Sequence, residues 1–394
     1  MRILVLTNLY PPHGYGGYEL SCRDVADRFA ERGHEVLVLT SDHRRAGPEP
    51  VESTNVERTL PLAWDRVGPP PAWLRPARQR QAARAIAGAV ARHRPDVISV
   101  WNMAGLPSPA LRSFGDAAQV WVMADAWPER AVVGDPWLAP AIRHPRTARL
   151  LGLPTALPDP PPTATLCFCS AHLRDRVLAS TGWSPARSVV TPLGVDPRDF
   201  PLVQAPPARS WSWRLVYVGR LDAGKGVDTL VRSLAHLPPA ARLKIVGAGE
   251  PVHLRRLGAL IADLGLAARV EITSLDRPQL AAAYDEADVC VFPSEWDEPF
   301  GIVPLEAMSR ATPVVATGSG GSGEYLRDGD NSRLFAAGDE RALAAALVAL
   351  AGDPAERARL MAGGSRTAAR LTVDRLADQL EEIHHRATAG ACGT

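Results

Sequence analysis

Short apolar runs recur along the chain, each followed by a polar or glycine-rich stretch and then by apolar residues at helical spacing. The first run is Arg2–Thr7. A Pro- and Gly-rich loop follows over Asn8–Gly17, then Leu20, Val25, Ala26 and Phe29 on one face of a helix that Gly33 ends, then a second run at Val36–Leu39. Strand, glycine loop, helix and strand make a βαβ unit, the opening of a doubly wound parallel sheet. Further buried-strand candidates stand at Val97–Trp101, Val120–Met123, Thr165–Phe168 and Val189–Thr191, with another at Val56–Leu62. Helices are expected over Trp73–His93 and Ser170–Ser180. Arg44–Pro71 is polar and Pro-rich, and Pro154–Pro162, with five prolines, reads as a loop.

The alternation restarts after Pro201–Ser210, a stretch with three prolines and few large apolar residues that reads as a linker. Strands are expected at Leu215–Val218, Leu243–Val246, Val270–Ile272 and Val289–Phe292, with helices over Val227–Leu237, Val252–Leu264 and Gln279–Glu286 between them. Two α/β series, each with a glycine-rich first loop, predict two Rossmann-like domains. The boundaries fall at residues 1–200 and 201–372, with a last helix over Val373–His384 and a disordered tail from Ala387 to Thr394 within 373–394.

The stretch with the most chemistry is Ser294–Phe335. After the apolar run Val289–Phe292 it reads Ser-Glu-Trp-Asp-Glu-Pro-Phe-Gly-Ile-Val-Pro-Leu-Glu-Ala-Met, then Pro313–Thr317, then Gly320-Gly321-Ser322-Gly323-Glu324. The expected order is buried strand, loop, helix, strand and glycine loop. A helix starting near Gly301 puts Glu306 in its second turn, close to Glu298 in the preceding loop. The first N–H groups of that helix have no partner within it and face the same crevice. Two carboxylates beside such amides suit a ligand carrying both hydroxyls and phosphates.

With Glu298 and Glu306 separated by seven residues and set in Pro-Phe-Gly-Ile-Val and Glu-Ala-Met, this stretch resembles the signature of the retaining glycosyltransferases of family 4. The resemblance implies the glycosyltransferase-B fold, two Rossmann-like domains facing across a cleft. The first domain would serve the acceptor and the second the nucleotide-sugar donor, and the last helix would cross back onto the first. It implies that Glu298 contacts hexose hydroxyls, that the backbone at Phe300, Gly301, Ile302 and Val303 holds sugar and phosphate oxygens, and that Glu306 takes the ribose hydroxyls. Gly16 and Gly17 would let the first domain close over the phosphates, and Ile272 would lie near the base. Pro192–Phe200 resembles the turn that ends the first domain. The loop Gly219–Gly226 resembles the family's Gly-Arg-Leu and Lys-Gly segment, which assigns Arg220 and Lys225 to the donor's diphosphate. Both cations stand at a strand's carboxyl end, where open α/β sheets bind ligands, and can neutralise a leaving diphosphate without a metal. One departure is Ala124, where the family often has histidine. Asp125 beside it is expected to orient sugar or acceptor. His13 is a substitute candidate, although a loop histidine is more simply read as solvent-exposed.

Composition narrows the partners. The 394 residues suffice for two domains, and a net charge of +1 provides no field to attract nucleic acid. The arginines of the helix over Trp73–His93 read first as a solvated face, while a peripheral membrane contact stays open. No run is long enough to span a bilayer and no signal segment precedes Met1-Arg2-Ile3, so a cytoplasmic location is expected. Five cysteines show no disulfide framework, and Cys167-Phe-Cys169 lacks metal-ligand spacing. Of 44 basic residues only Lys225 and Lys244 are lysines, which singles out Lys225 as a place where a compact ammonium is wanted. Asp328-Gly329-Asp330 reads as a turn and not as a metal site, so neither metal nor cofactor is expected. The donor would be a UDP-sugar first and a GDP-sugar second. The acceptor would be a glycan, a lipid or a small natural product, and the protein a monomer or homodimer. Two other readings compete. One is a sugar-nucleotide epimerase or an NAD-dependent enzyme on paired Rossmann domains; the NAD reading is weakened by the Arg220–Lys225 pair and because Glu19 stands where the dinucleotide pattern needs its third glycine, though Asp42 keeps it alive. The other is an inactive sugar-nucleotide-binding protein, suggested by Ala124.

Overall fold

The apolar runs of the first half become seven parallel strands: β1 (Arg2–Leu6), β2 (Glu35–Ser41), β3 (Val56–Leu60), β4 (Val97–Val100), β5 (Ala118–Met123), β6 (Thr165–Phe168) and β7 (Arg187–Val190). They form one sheet in the order β3-β2-β1-β4-β5-β6-β7. Ile3 stands opposite both Val36 and Val97, so the first strand lies in the interior of the sheet. The structure is a computed structural model and describes residues 1–14, 16–44, 55–63, 71, 74–134, 137, 144, 146, 158–203 and 210–391. Much of the Pro-rich Arg44–Pro71 stretch, Trp73, the start of the Pro154–Pro162 loop, most of the linker and the last three residues lie outside these.

Helices α1 (Gly17–Glu31), α2 (Arg75–His93), α3 (Trp127–Gly134) and α4 (Ala171–Thr181) join these strands. In α1, Val25, Ala26 and Phe29 are buried, as the helical spacing predicts, and Cys22 with them, whereas Leu20, expected on the same face, is only partly buried. In α2 the buried stripe is Ala82, Ile86 and Ala89, one helical face; exposed Arg92 pairs with Glu57 of β3 at 2.7 Å.

The second half builds another all-parallel sheet from β8 (Arg214–Val218), β9 (Arg242–Val246), β10 (Val270–Thr273), β11 (Val289–Phe292), β12 (Val314–Ala316) and β13 (Arg333–Leu334), in the order β10-β9-β8-β11-β12-β13. Helices α5 (Val227–Leu234), α6 (Pro251–Asp263), α7 (Arg277–Glu286), α8 (Val303–Ser309), α9 (Glu340–Gly352) and α10 (Pro354–Arg370) accompany it. Leu215, Leu243 and Ile245 of the sheet pack with Leu230, Leu234, Leu257, Leu343 and Leu347 into one core.

The chain divides into two compact units, residues 1–192 with 376–394, and residues 193–375. The division falls at Pro192, before the expected 200, because residues 193–200 are tied into the second unit. Val195 exchanges backbone hydrogen bonds with Leu371 and Val373 at 3.0 Å each, and the ring of Phe200 meets that of Tyr284 at 6.1 Å. The last helix, α11 (Val373–Ala391), continues past His384, so residues 387–391 are helical where a disordered tail was expected. From Leu376 onward it belongs to the first unit, where Asp378 and Glu381 both pair with Arg32 at 2.6 Å. His384 lies fully buried there against Phe29, ring centroids 5.3 Å apart. Among the described residues no helix is long and apolar enough to cross a membrane.

Candidate functional site

Both sheets reverse direction next to their first strand, β1 beside β4 and β8 beside β11. Loops leaving the carboxyl ends of two such strands diverge and leave a crevice where ligands bind. In the second unit those loops are Gly219–Gly226 after β8 and Ser294–Ile302 after β11, the two stretches singled out by their chemistry.

The loops are held in contact by glycine. Gly226 adopts φ +68°, and a Cβ there would stand 1.8 Å from the carbonyl oxygen of Pro293. The carbonyl of Gly224 accepts from the amides of Glu295 and Trp296 at 3.0 and 3.1 Å. Lys225 is thereby carried to Glu298. Its Nζ donates to Glu298 Oε2 at 2.7 Å and stands 4.9 Å from the centre of the Trp296 ring. The same Oε2 accepts from Trp296 Nε1 at 2.9 Å and from Ser294 Oγ at 3.1 Å. The Glu298 carbonyl accepts from the amide of Gly321 at 2.7 Å, and Gly320, at φ +60°, lies too close to this backbone for any Cβ. Glu298 is only 8% exposed, and the Lys225 ammonium beside it offsets much of the cost of burying its charge.

Helix α8 begins at Val303, two residues later than expected, so Glu306 lies in its first turn and not its second. The 3₁₀-like entry at Ile302, whose carbonyl accepts from Leu305 at 2.9 Å, accounts for the difference. Glu306 is also 8% exposed, and its Oε2 accepts from the hydroxyl of Tyr284 on α7 at 2.8 Å. Burial, and then the Glu306 carboxylate itself, hold that hydroxyl well above its usual range, so it stays a donor. Phe300 is buried against Tyr325, ring centroids 5.1 Å apart, and the Tyr325 hydroxyl donates to the carbonyl of Gly301.

The structure thus brings together Lys225, Glu298, Gly219 and the Phe300–Val303 backbone at the carboxyl ends of β8 and β11, with Glu306 one short segment on. Arg220 is in the same loop and pairs with Asp222 at 3.0 Å, its side chain 57% exposed. Ile272 stands on the edge strand β10 and is 41% exposed. Gly16, Gly17 and Asp125 belong to the other compact unit. There Gly16 caps α1, and its amide donates to Glu19 at 2.7 Å. This explains the missing third glycine, since the acid serves the helix cap. Asp125 follows β5 and accepts from the amide of Trp127 at 3.1 Å. His13 is 4% exposed, which corrects its reading as a solvent-exposed residue; Arg44 approaches its Nε2 at 3.4 Å. Asp328 accepts from the amide of Leu334 at 2.8 Å and Asp330 pairs with Arg366 at 3.0 Å, so this acidic pair is engaged in its turn. Four of the cysteines are buried and unbridged. Trp296, Ser294 and Tyr284 complete the glutamate sites and were not singled out by sequence. Trp296 had a signal, an indole two residues from Glu298, whereas Tyr284 had none.

Two family models match the chain, "Glycosyltransferase Family 4" over residues 15–199, most of the first unit and the start of the second, and "Glycosyl transferases group 1" over residues 212–353 of the second unit. The chain belongs to the family 4 glycosyltransferases. A D-inositol 3-phosphate glycosyltransferase of Xylanimonas cellulosilytica is 37% identical over 177 residues, 44% of this chain and 42% of that protein. The match thus spans less than half of that relative. A glycogen synthase of Mycobacterium tuberculosis is 29% identical across 91% of this chain and 88% of its own. Among solved structures, the sucrose-phosphate synthase of Thermosynechococcus elongatus superposes with a TM-score of 0.75 at 22% identity, covering 99% of this chain and all of that one. The fold of this glycosyltransferase family member is glycosyltransferase-B.

Proposed function

We propose that the protein transfers a hexose from a nucleoside-diphosphate sugar to an acceptor hydroxyl, with retention at the anomeric carbon and without a metal. The observation that carries this reading is the Lys225–Glu298 pair at the switch point of the second sheet, with Glu306 at the start of the next helix. In this reading Lys225 and Arg220 neutralise the diphosphate as its bond to the anomeric carbon breaks. Glu298 orients the hexose through its hydroxyls, and Glu306 takes the ribose, with Tyr284 holding its carboxylate in place. The acceptor oxygen bonds to the anomeric carbon on the face the diphosphate leaves, and the acceptor proton passes to a leaving phosphate oxygen. Such a step needs no histidine at position 124. Asp125 is assigned to orienting sugar or acceptor.

Uridine diphosphate sugars are the first donors to try and guanosine diphosphate sugars the second. The names of the relatives, one acting on an inositol phosphate and one on glycogen, favour a polyhydroxylated acceptor. The test is nucleotide release from a donor panel, with and without acceptor, followed by the anomeric configuration of the product. Acceptor-dependent release with retention, persisting in excess EDTA, is expected. Loss of transfer in EDTA with rescue by a divalent ion overturns the metal-free step. Nucleotide binding without any turnover favours the inactive binding protein.

A further inference from the structure

In this structure Lys225 is already committed. Its ammonium is paired with Glu298 at 2.7 Å, and its side chain is 15% exposed. A diphosphate can take Lys225 only by removing it from Glu298, and a mostly buried carboxylate that loses its cation must keep other donors or lose its place. Those donors are present on the same oxygen, Trp296 Nε1 at 2.9 Å and Ser294 Oγ at 3.1 Å. Among the described residues no hydrogen bond reaches the other oxygen, Oε1. Trp296 is itself fixed, because its amide donates to Gly224 at 3.1 Å and its Cβ lies 3.0 Å from where a Gly224 Cβ would be. Its ring also lies beneath the Lys225 ammonium at 4.9 Å, a cation–π contact.

We propose that Trp296 is a positioning residue for sugar transfer. It anchors Glu298 through its indole N–H while Lys225 is handed from Glu298 to the donor diphosphate, so that Oε1 remains presented to the hexose. The proposal rests on the glycosyl-transfer reading and adds to it a residue that touches neither phosphate nor reacting carbon. The chemistry it serves is an exchange of ion-pair partners, carboxylate for diphosphate, with no bond made or broken by Trp296.

The test compares wild type with Trp296→Phe, which keeps the ring under Lys225 and against Gly224 but deletes the N–H, and with Trp296→Tyr as a second ring-preserving variant. Turnover with the active donor should fall roughly ten- to a hundredfold, the loss of one charge-assisted hydrogen bond. Affinity for uridine diphosphate by calorimetry should stay near wild type, because it does not depend on where Oε1 points, and the melting temperature should fall only by the few degrees that one hydrogen bond is worth. Turnover at the wild-type level overturns the proposal. So does a parallel fall of turnover, nucleotide affinity and melting temperature, or failure of both variants to fold, since each marks Trp296 as scaffold. A wild type inactive with every donor sinks the glycosyl-transfer reading and this proposal with it. An active wild type matched by an equally active Trp296→Phe sinks this proposal alone.

Discussion

The two compact units share a topology and spend their switch-point loops differently. In the first unit the polar groups after β1 and β4 are used to shape the backbone. Asn8 donates to the carbonyl of Ala104 at 2.8 Å and accepts from the amide of Leu9 at 2.7 Å, Asn102 accepts from the amide of Ala104 at 2.9 Å, and Glu19 caps α1. In the second unit the corresponding loops bring an ammonium and a carboxylate together as a largely buried ion pair. One sheet order therefore supports two different outcomes, and the chemistry follows from the side chains placed on the loops, not from the fold.

The largest expected effect concerns that carboxylate. Glu298→Gln keeps the shape and removes the charged acceptor, and turnover should fall roughly 10²-fold or more, since misplacing the reacting sugar is costly. Initial rates with the active donor check this. An unchanged rate would leave the second unit's loops as structural as those of the first. Lys225→Ala comes next. It deletes the proposed charge-assisted contact to the diphosphate, worth about 1.5–3 kcal/mol, and it leaves Glu298 without its cation. Nucleotide affinity by calorimetry and melting temperature should both drop; if neither does, Lys225 holds neither the diphosphate nor Glu298.

A third prediction sets one unit's glycine against the other's. Gly226→Ala places a Cβ 1.8 Å from a carbonyl oxygen at φ +68°, and the strained backbone alone costs about 1–3 kcal/mol. Gly17→Ala meets nothing within 4 Å, so stability should change by less than about 0.5 kcal/mol. Denaturant melts of the two variants measure the contrast, and equal melts would show that loop contact in the second unit is not tight. The smallest effect is in the first unit and concerns pH. Burial first, and then the nearby His34 and His385, lower the His384 pKa to about 3, from about 6.5 in an unfolded chain. The folded state therefore binds this proton less readily than the unfolded chain, and stability is retained above about pH 6.5 and lost progressively as the pH falls toward 3. Glu381, facing His384 from the same helix, acts in the opposite direction on it. His384→Leu should flatten the acid limb of the melting-temperature curve; an unaltered limb would place the acid sensitivity elsewhere.

Much of this was legible in the sequence because parallel strands are buried on both faces and read as continuous apolar runs. That holds for β1, β4, β8 and β11, the strands that frame the switch points. The two-residue β13 is too short to carry a pattern. The Ala- and Leu-rich α9 has no clear polar face to delimit it, so periodicity does not find it. In the site, Lys225, Glu298 and Glu306 stood out because loop, helix and glycine signals surround them within a few residues. Trp296 became informative only once two distant loops met at Gly224, and Tyr284 only once α7 was seen to pack beside α8. His13 looked exposed because a Pro- and Gly-rich loop was expected at the surface, whereas its ring is buried.

The central claim is that the second unit divides a sugar nucleotide between its two glutamates, Glu298 for the hexose and Glu306 for the nucleoside. Calorimetry with uridine diphosphate on Glu298→Gln and Glu306→Gln tests it most directly. Because Glu298 pairs with Lys225 at 2.7 Å, and the proposed diphosphate contact needs that ammonium released, Glu298→Gln should bind the nucleotide at least as tightly as wild type, while Glu306→Gln should bind it measurably more weakly. Weaker binding by Glu298→Gln with Glu306→Gln unchanged would contradict the assignment, and wild-type affinity in Glu306→Gln would remove the nucleoside from its carboxylate.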